Sequence, residues 1–250
     1  MAKAHRIFEI IGILTFAVLF VWLVARLAGM MNAPSTWFVL ATAMLGGYVL
    51  ADFGSGMAHW LFDRYGTVNT PVFGMGFVKP FREHHVDPKG ITRHDFVETN
   101  GNNCIVTAPL LAVALLLPFE SGQAWALFTG AVLASLAIFT FGTNQFHKWS
   151  HEDDPPAFVR KLQSAHLILG VGHHDIHHKA PFDKYYCITT GWLNPFLNHM
   201  RYFQRLEGLI YRVTGVRAGE DDAQYLGLEL PEMPSESPVV PDVVESKIAH

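Results

Sequence analysis

Two cysteines in 250 residues remove several classes of site at once. Cys104 and Cys187 stand far apart and outside any CxxC, which leaves no disulfide framework, zinc knuckle or cysteine-held iron–sulfur cluster. Both read as buried free thiols. Charge is scarce too, at 16% of residues, thin cover for a soluble domain of this length. The net charge of −4 supplies no basic field for nucleic acid. No GxGxxG fingerprint occurs, so the chain itself binds no flavin or nicotinamide.

Half of the residues are hydrophobic, and they fall in long runs. Residues 10–25 carry no charge and approach the ~20 residues that span hydrocarbon. The run exceeds a signal-peptide core, and Gly29-Met-Met-Asn is a poor cleavage site, so it reads as a retained helix. A second run extends from Trp37 through Asp52 to Phe62, with Asp52 and His59 on one face; ionisable groups at that depth usually point into a functional interior. Residues 105–119 and 125–146 form two more, the first interrupted by Pro109. The expected architecture is all-α and integral to a membrane: two spanning helices in 1–62, a polar loop over 63–104, two more spans in 105–146, a histidine-rich helical region in 147–217, and a disordered acidic tail over 218–250.

Four spans place the loop and everything after residue 146 on the N-terminal side. The positive charges agree, since 17 of the 18 Lys and Arg fall there and only Arg26 lies opposite. The positive-inside rule makes that side cytoplasmic, facing the cytoplasm from an inner membrane in a bacterium or from the endoplasmic reticulum in a eukaryote. From Pro195 to Val213, apolar residues recur every three or four positions with Arg201, Arg205 and Arg212 between them. That helix either lies in the membrane interface or packs on the histidine region.

Seven of the fourteen histidines lie between His147 and His178. His147 with His151, His173 with His177 and His174 with His178 are spaced i,i+4 and share helix faces. His59, His84, His85 and His94 lie upstream, on the same side of the membrane. One such pair is weak evidence, but several converging pairs make a metal centre with donors enough for two ions, and imidazole suits iron, zinc, copper and nickel. Ligating imidazoles need a partner for their other N–H; Asp52, Asp63, Asp87, Asp95 and Asp175 are near in sequence, although a cap or a surface ion pair explains each equally well. His5, His199 and His250 read as exposed or structural, and His166 as a lone packed or solvated ring.

Asp52-Phe-Gly-Ser-Gly-Met-Ala-His59-Trp, Pro80-Phe-Arg-Glu-His84-His85-Val-Asp-Pro, Thr92-Arg-His94-Asp-Phe-Val-Glu-Thr-Asn-Gly, His147-Lys-Trp-Ser-His151, His173-His-Asp-Ile-His-His178 and Cys187-Ile-Thr-Thr-Gly-Trp-Leu-Asn together resemble the Kua-type lipid desaturases over about residues 45–217. The closest resemblance is to the plasmanylethanolamine desaturase branch.

What this implies is a membrane enzyme with two Fe ions that uses O2 and two electrons to desaturate the 1-O-alkyl chain of an ether phospholipid, giving the vinyl ether of a plasmalogen. A plastid branch of the superfamily acts instead on an acyl chain of phosphatidylglycerol. The electrons then come from a separate donor protein of the cytochrome b5 or ferredoxin type. The expected ligands are His59, His84, His85, His147, His151, His174, His177 and His178, while His94 and His173 are outer groups or alternative ligands. His59 has no nearby histidine partner, so the first box of ordinary desaturases is split between it and His84-His85. Lys79, Arg82, Arg93, Lys179 and Lys184 flank these motifs and are candidates for the phospholipid headgroup, the plain alternative being the positive-inside bias. A di-iron hydroxylase, a zinc-dependent membrane hydrolase and a metal- or haem-binding membrane protein are the competing readings.

Overall fold

A computed structural model describes residues 2–71, 73–120 and 123–219, and those residues contain no strand. Helix α1 (Ala2–Ala28) runs through the first apolar segment. Helix α2 (Pro34–Arg64) starts on a proline, whose fixed φ suits the first helical turn, and ends where Tyr65 turns extended. A π-helical turn (Gly74–Val78), α3 (Lys79–Val86) and a 3-10 turn (Pro88–Arg93) follow. Then come α4 (Phe96–Ala114) and α5 (Ala124–His151). Short helices complete the chain: α6 (Ala157–Ser164), α7 (Val171–His174), α8 (Asn194–His199) and α9 (Tyr202–Thr214).

Helices α1, α2, α4 and α5 form an antiparallel bundle whose directions follow from cross-helix contacts. Arg6 pairs with Asp95 at one end, and Arg26 lies over the Phe119 ring at the other, so α1 and α4 run the same way. Ser135 bonds the Met44 carbonyl and Tyr48 stacks on Phe139, so α2 and α5 run together in the opposite sense. The start of α4 and the ends of α2 and α5 therefore meet at one end of the bundle.

Alanine and other small side chains line much of the interior, including Ala43, Ala126, Ala131 and Ala137. A Cβ on Gly47 would lie 2.5 Å from the Val132 carbonyl oxygen, so α2 and α5 touch backbone to backbone, as small residues permit in membrane bundles. The outside is apolar instead: Phe8, Leu14, Val18, Trp22, Trp37, Phe38 and Leu45 are exposed. Three helices, over Ala4–Ala28, Pro34–Arg64 and Ala124–His151, are long and apolar enough to cross a membrane. Such a surface has hydrocarbon as its natural solvent.

Two sequence expectations are corrected. Helix α4 begins at Phe96, nine residues inside the stretch read as loop, because the Asp95 side chain caps it by accepting the Val97 and Glu98 N–H groups. Its polar first half is interior: Asn144 donates to the Thr99 carbonyl at 3.1 Å and Asn103 to the Thr140 carbonyl at 2.8 Å. Those bonds tie α4 to α5, and the polar Glu98, Thr99, Asn100, Asn102 and Asn103 keep α4 outside the set of helices apolar enough to span. The single amphipathic helix expected over Pro195 to Val213 is broken into α8 and α9 at Arg201, which takes φ 51°. Its Phe203, Leu206 and Ile210 pack against Trp60 and Tyr186. The acidic tail expected from residue 218 lies, from 220 on, outside the described residues.

Candidate metal centre

Three i,i+4 pairs at helix ends each point two donors at one place. Helix α2 contributes His59 and Asp63, α5 contributes His147 and His151, and α7 with its following turn contributes His174 and His178. Helix α3 brings the adjacent His84 and His85. These donors separate into two groups: His84, His147, His151, His174 and His178 in one, and His59, Asp63, His85 and His177 in the other. Within each group one ligand atom per residue lies within 4.8 Å of all the others. The groups abut, with the His85 and His178 rings 5.4 Å apart and those of His59 and His147 5.9 Å apart.

In the five-histidine group, the His147 and His174 Nε2 atoms are 2.8 Å apart, His178 and His174 3.0 Å, and His151 and His147 3.2 Å. Nitrogens held ~2.1 Å from one ion at right angles would be ~3 Å from each other, so the spacing matches that around a metal. The buried His84 Nε2 has no hydrogen-bond partner, although buried polar atoms are ordinarily satisfied. Burial, and then the neighbouring histidines, push the His84 and His174 pKa values well below the usual imidazole range. The same causes bring His178 down to about 2. These imidazoles are neutral at pH 7, the form that binds metal.

Backbone carbonyls hold the second group from behind. His59 Nδ1 lies 3.1 Å from the Tyr186 carbonyl, and His177 Nδ1 lies 2.9 Å from that of Lys184. A carbonyl only accepts, so each Nδ1 carries the proton and Nε2 keeps its lone pair toward the site. Phe182 and Tyr185, in the turn that presents these carbonyls, both have left-handed backbone. Strain of this kind persists where surrounding contacts impose it.

The remaining candidates divide clearly. His173 does not join His177; its Nε2 sits 3.1 Å from Asn194 Nδ2 and its ring beside Tyr185. His94 is half exposed, 3.6 Å from Glu98, and belongs to neither group. Asp52 accepts backbone N–H groups of Thr190, Gly191 and Leu193 rather than backing a histidine, Asp95 caps α4, and Asp175 is exposed. Of the five headgroup candidates, Arg82 is buried and bonded to the Gly66 carbonyl, Arg93 pairs with Asp87 and Lys79 with Glu83. Lys179 and Lys184 make no ion pair among the described residues.

Sequence reasoning missed the partner of His59. It searched for a second histidine, but the i+4 position holds Asp63, and HxxxD places donors on one helix face as HxxxH does. Asn194, which braces His173 and bonds both backbone groups of Cys187, had no signal beyond its place in the last motif.

The geometry is compatible with metal binding by a histidine cluster at one end of the bundle, and residues 48–221 match the family model described as a lipid desaturase domain. The chain belongs to the lipid desaturase family. This desaturase is 49% identical over 221 residues to the plasmanylethanolamine desaturase of Myxococcus xanthus, covering 88% of this chain and 77% of that one. It is 46% identical over 190 residues to plasmanylethanolamine desaturase 1 of Mus musculus, covering 73% and 69%. Chloroplastic fatty acid desaturase 4 of Arabidopsis thaliana is 36% identical over 179 residues, covering 71% and 53%. No solved structure matches the chain. The protein is thus a membrane oxidoreductase acting on lipid.

Proposed function

We propose that this lipid desaturase is a di-iron, O2-dependent enzyme that introduces the vinyl ether double bond into the 1-O-alkyl chain of plasmanylethanolamine, forming a plasmalogen. The carrying observation is the 49% identity over 88% of the chain to a protein named plasmanylethanolamine desaturase, joined to two adjacent donor groups of nine side chains in all. Iron at these positions would supply, with O2, the oxidising power that an unactivated C–H bond demands.

The chain's own residues bind, orient and shield. Nine donors drawn from α2, α3, α5 and the α7 turn hold the two positions in register, and the Tyr186 and Lys184 carbonyls fix the tautomers of His59 and His177. Burial of His59, His147, His174 and His177 keeps water from the reacting region. Lys179 and Lys184, next to the last histidine motif, are the cations left to meet a headgroup phosphate. The reaction balances when the substrate gives two electrons and two protons and an external donor protein gives two electrons, matched by two protons from water, so that O2 becomes two waters. That donor is of the cytochrome b5 or ferredoxin type, and the centre faces the cytoplasm.

Metal analysis with oxygen consumption tests this. Protein made in iron-replete cells should carry about two iron ions per chain, and donor-supplied protein should consume O2 when 1-O-alkyl phosphatidylethanolamine is added. Stoichiometric zinc without iron would refute the reading.

A further inference from the structure

In the smaller donor group, the buried Asp63 Oδ2 lies 3.3 Å from His59 Nε2, 3.2 Å from His85 Nε2 and 3.3 Å from His177 Nε2, and the last two nitrogens are 3.2 Å apart. Neither Asp63 oxygen has a hydrogen-bond partner. The Nδ1 protons of His59 and His177 are committed to backbone carbonyls, so both Nε2 lone pairs face a carboxylate oxygen at contact distance. Lone pairs facing one another repel, and a buried carboxylate without compensation is costly. Something electropositive must lie among these four atoms: a metal ion, the N–H of a neutral His85 turned toward Asp63, or an extra proton on an imidazole.

We propose that it is a metal ion with Asp63 as a direct ligand, which makes the two positions of the centre inequivalent. This rests on the reading of a two-metal centre above. One position has five neutral imidazoles, the other three imidazoles and the centre's single anionic donor. Carboxylate oxygen is a harder donor than imidazole, and its charge offsets part of a cation's charge in a buried site. The Asp63 position therefore has fewer protein donors and a lower net charge than its neighbour, and favours the harder or more highly charged ion.

Full-length protein stripped of metal and titrated with Co2+, followed by visible absorption and metal analysis, tests this. The wild type should bind two ions. Asp63→Asn and Asp63→Ala should hold one as before and bind the second more than about 100-fold more weakly, whereas loss of a merely orienting neighbour weakens a site about 10–100-fold. His151→Ala should weaken the other ion instead. Cadmium-113 NMR of the wild type, which needs no variant to fold, should show two resonances, one displaced in the direction of oxygen coordination. Two ions held by Asp63→Asn within 100-fold of wild type, or two resonances of all-nitrogen character, would overturn the proposal and leave Asp63 paired to a histidine N–H. A wild type that binds fewer than two ions would overturn the two-metal centre itself, and the proposal with it.

Discussion

Asp52 lies within a spanning helix, and its role is predicted to be structural. It is fully buried, with Oδ1 2.8 Å from the Thr190 and Gly191 nitrogens and Oδ2 3.1 Å from that of Leu193. Asp52→Ala would leave three interior N–H groups unpaired. At about 1–3 kcal/mol each, and allowing for partial relaxation, the loss should be near ~4 kcal/mol. That is a large share of the ~5–15 kcal/mol that holds a typical domain folded. For a chain of this length each kcal/mol shifts the midpoint by about 2–4 °C, so thermal unfolding in detergent, followed by circular dichroism, should move down by ~10 °C. Asp52→Asn keeps an acceptor oxygen and should lose less than half as much. The metal donors are untouched, so whatever Asp52→Asn protein is recovered folded should still bind two ions. Asp52→Ala protein unfolding within about 2 °C of wild type would refute the reasoning.

Further outcomes follow from the same geometry. Alanine at His84 or His151 should abolish lipid desaturation and remove one ion, whereas alanine at His94 or His199 should leave most activity, measured with normal expression confirmed. His84, His174 and His178 stay neutral when folded but bind protons near pH 6.5 when unfolded. Stability of the metal-free chain should therefore be full above pH 6.5 and fall below it, by about 1.4 kcal/mol per pH unit for each such histidine; a flat pH profile between 7 and 5 would contradict this. Arg201→Gly should raise stability by up to ~1 kcal/mol, because glycine adopts the left-handed backbone there without strain. Gly47→Leu should prevent folding, since α2 and α5 leave no room for a side chain at that crossing.

The apolar runs were legible because membrane helices announce themselves by length and charge depletion. The start of α4 was not, since Thr99, Asn100 and Asn103 look like loop residues until α5 supplies their partners. The i,i+4 rule paired His147 with His151 and His174 with His178, and both pairs point into one donor group. It failed for His173 and His177, because α7 ends at His174 and the chain then turns, sending His177 to the other group. Asp63 was visible only as a nearby carboxylate, because nothing local distinguishes a ligand from an ion pair until His85 and His177 arrive from distant segments. The cationic residues were the least legible, since a positive charge looks alike in sequence whether it is buried, as Arg82 is, or free to meet a phosphate.

Expression in a host that contains 1-O-alkyl phosphatidylethanolamine and lacks its own desaturase tests the central claim most directly. Lipid extracts should yield acid-released fatty aldehyde from new vinyl ethers, with no new acyl double bond in phosphatidylglycerol by mass spectrometry. Only the acyl product, from iron-loaded and donor-supplied enzyme, would leave a lipid desaturase and contradict the plasmalogen assignment.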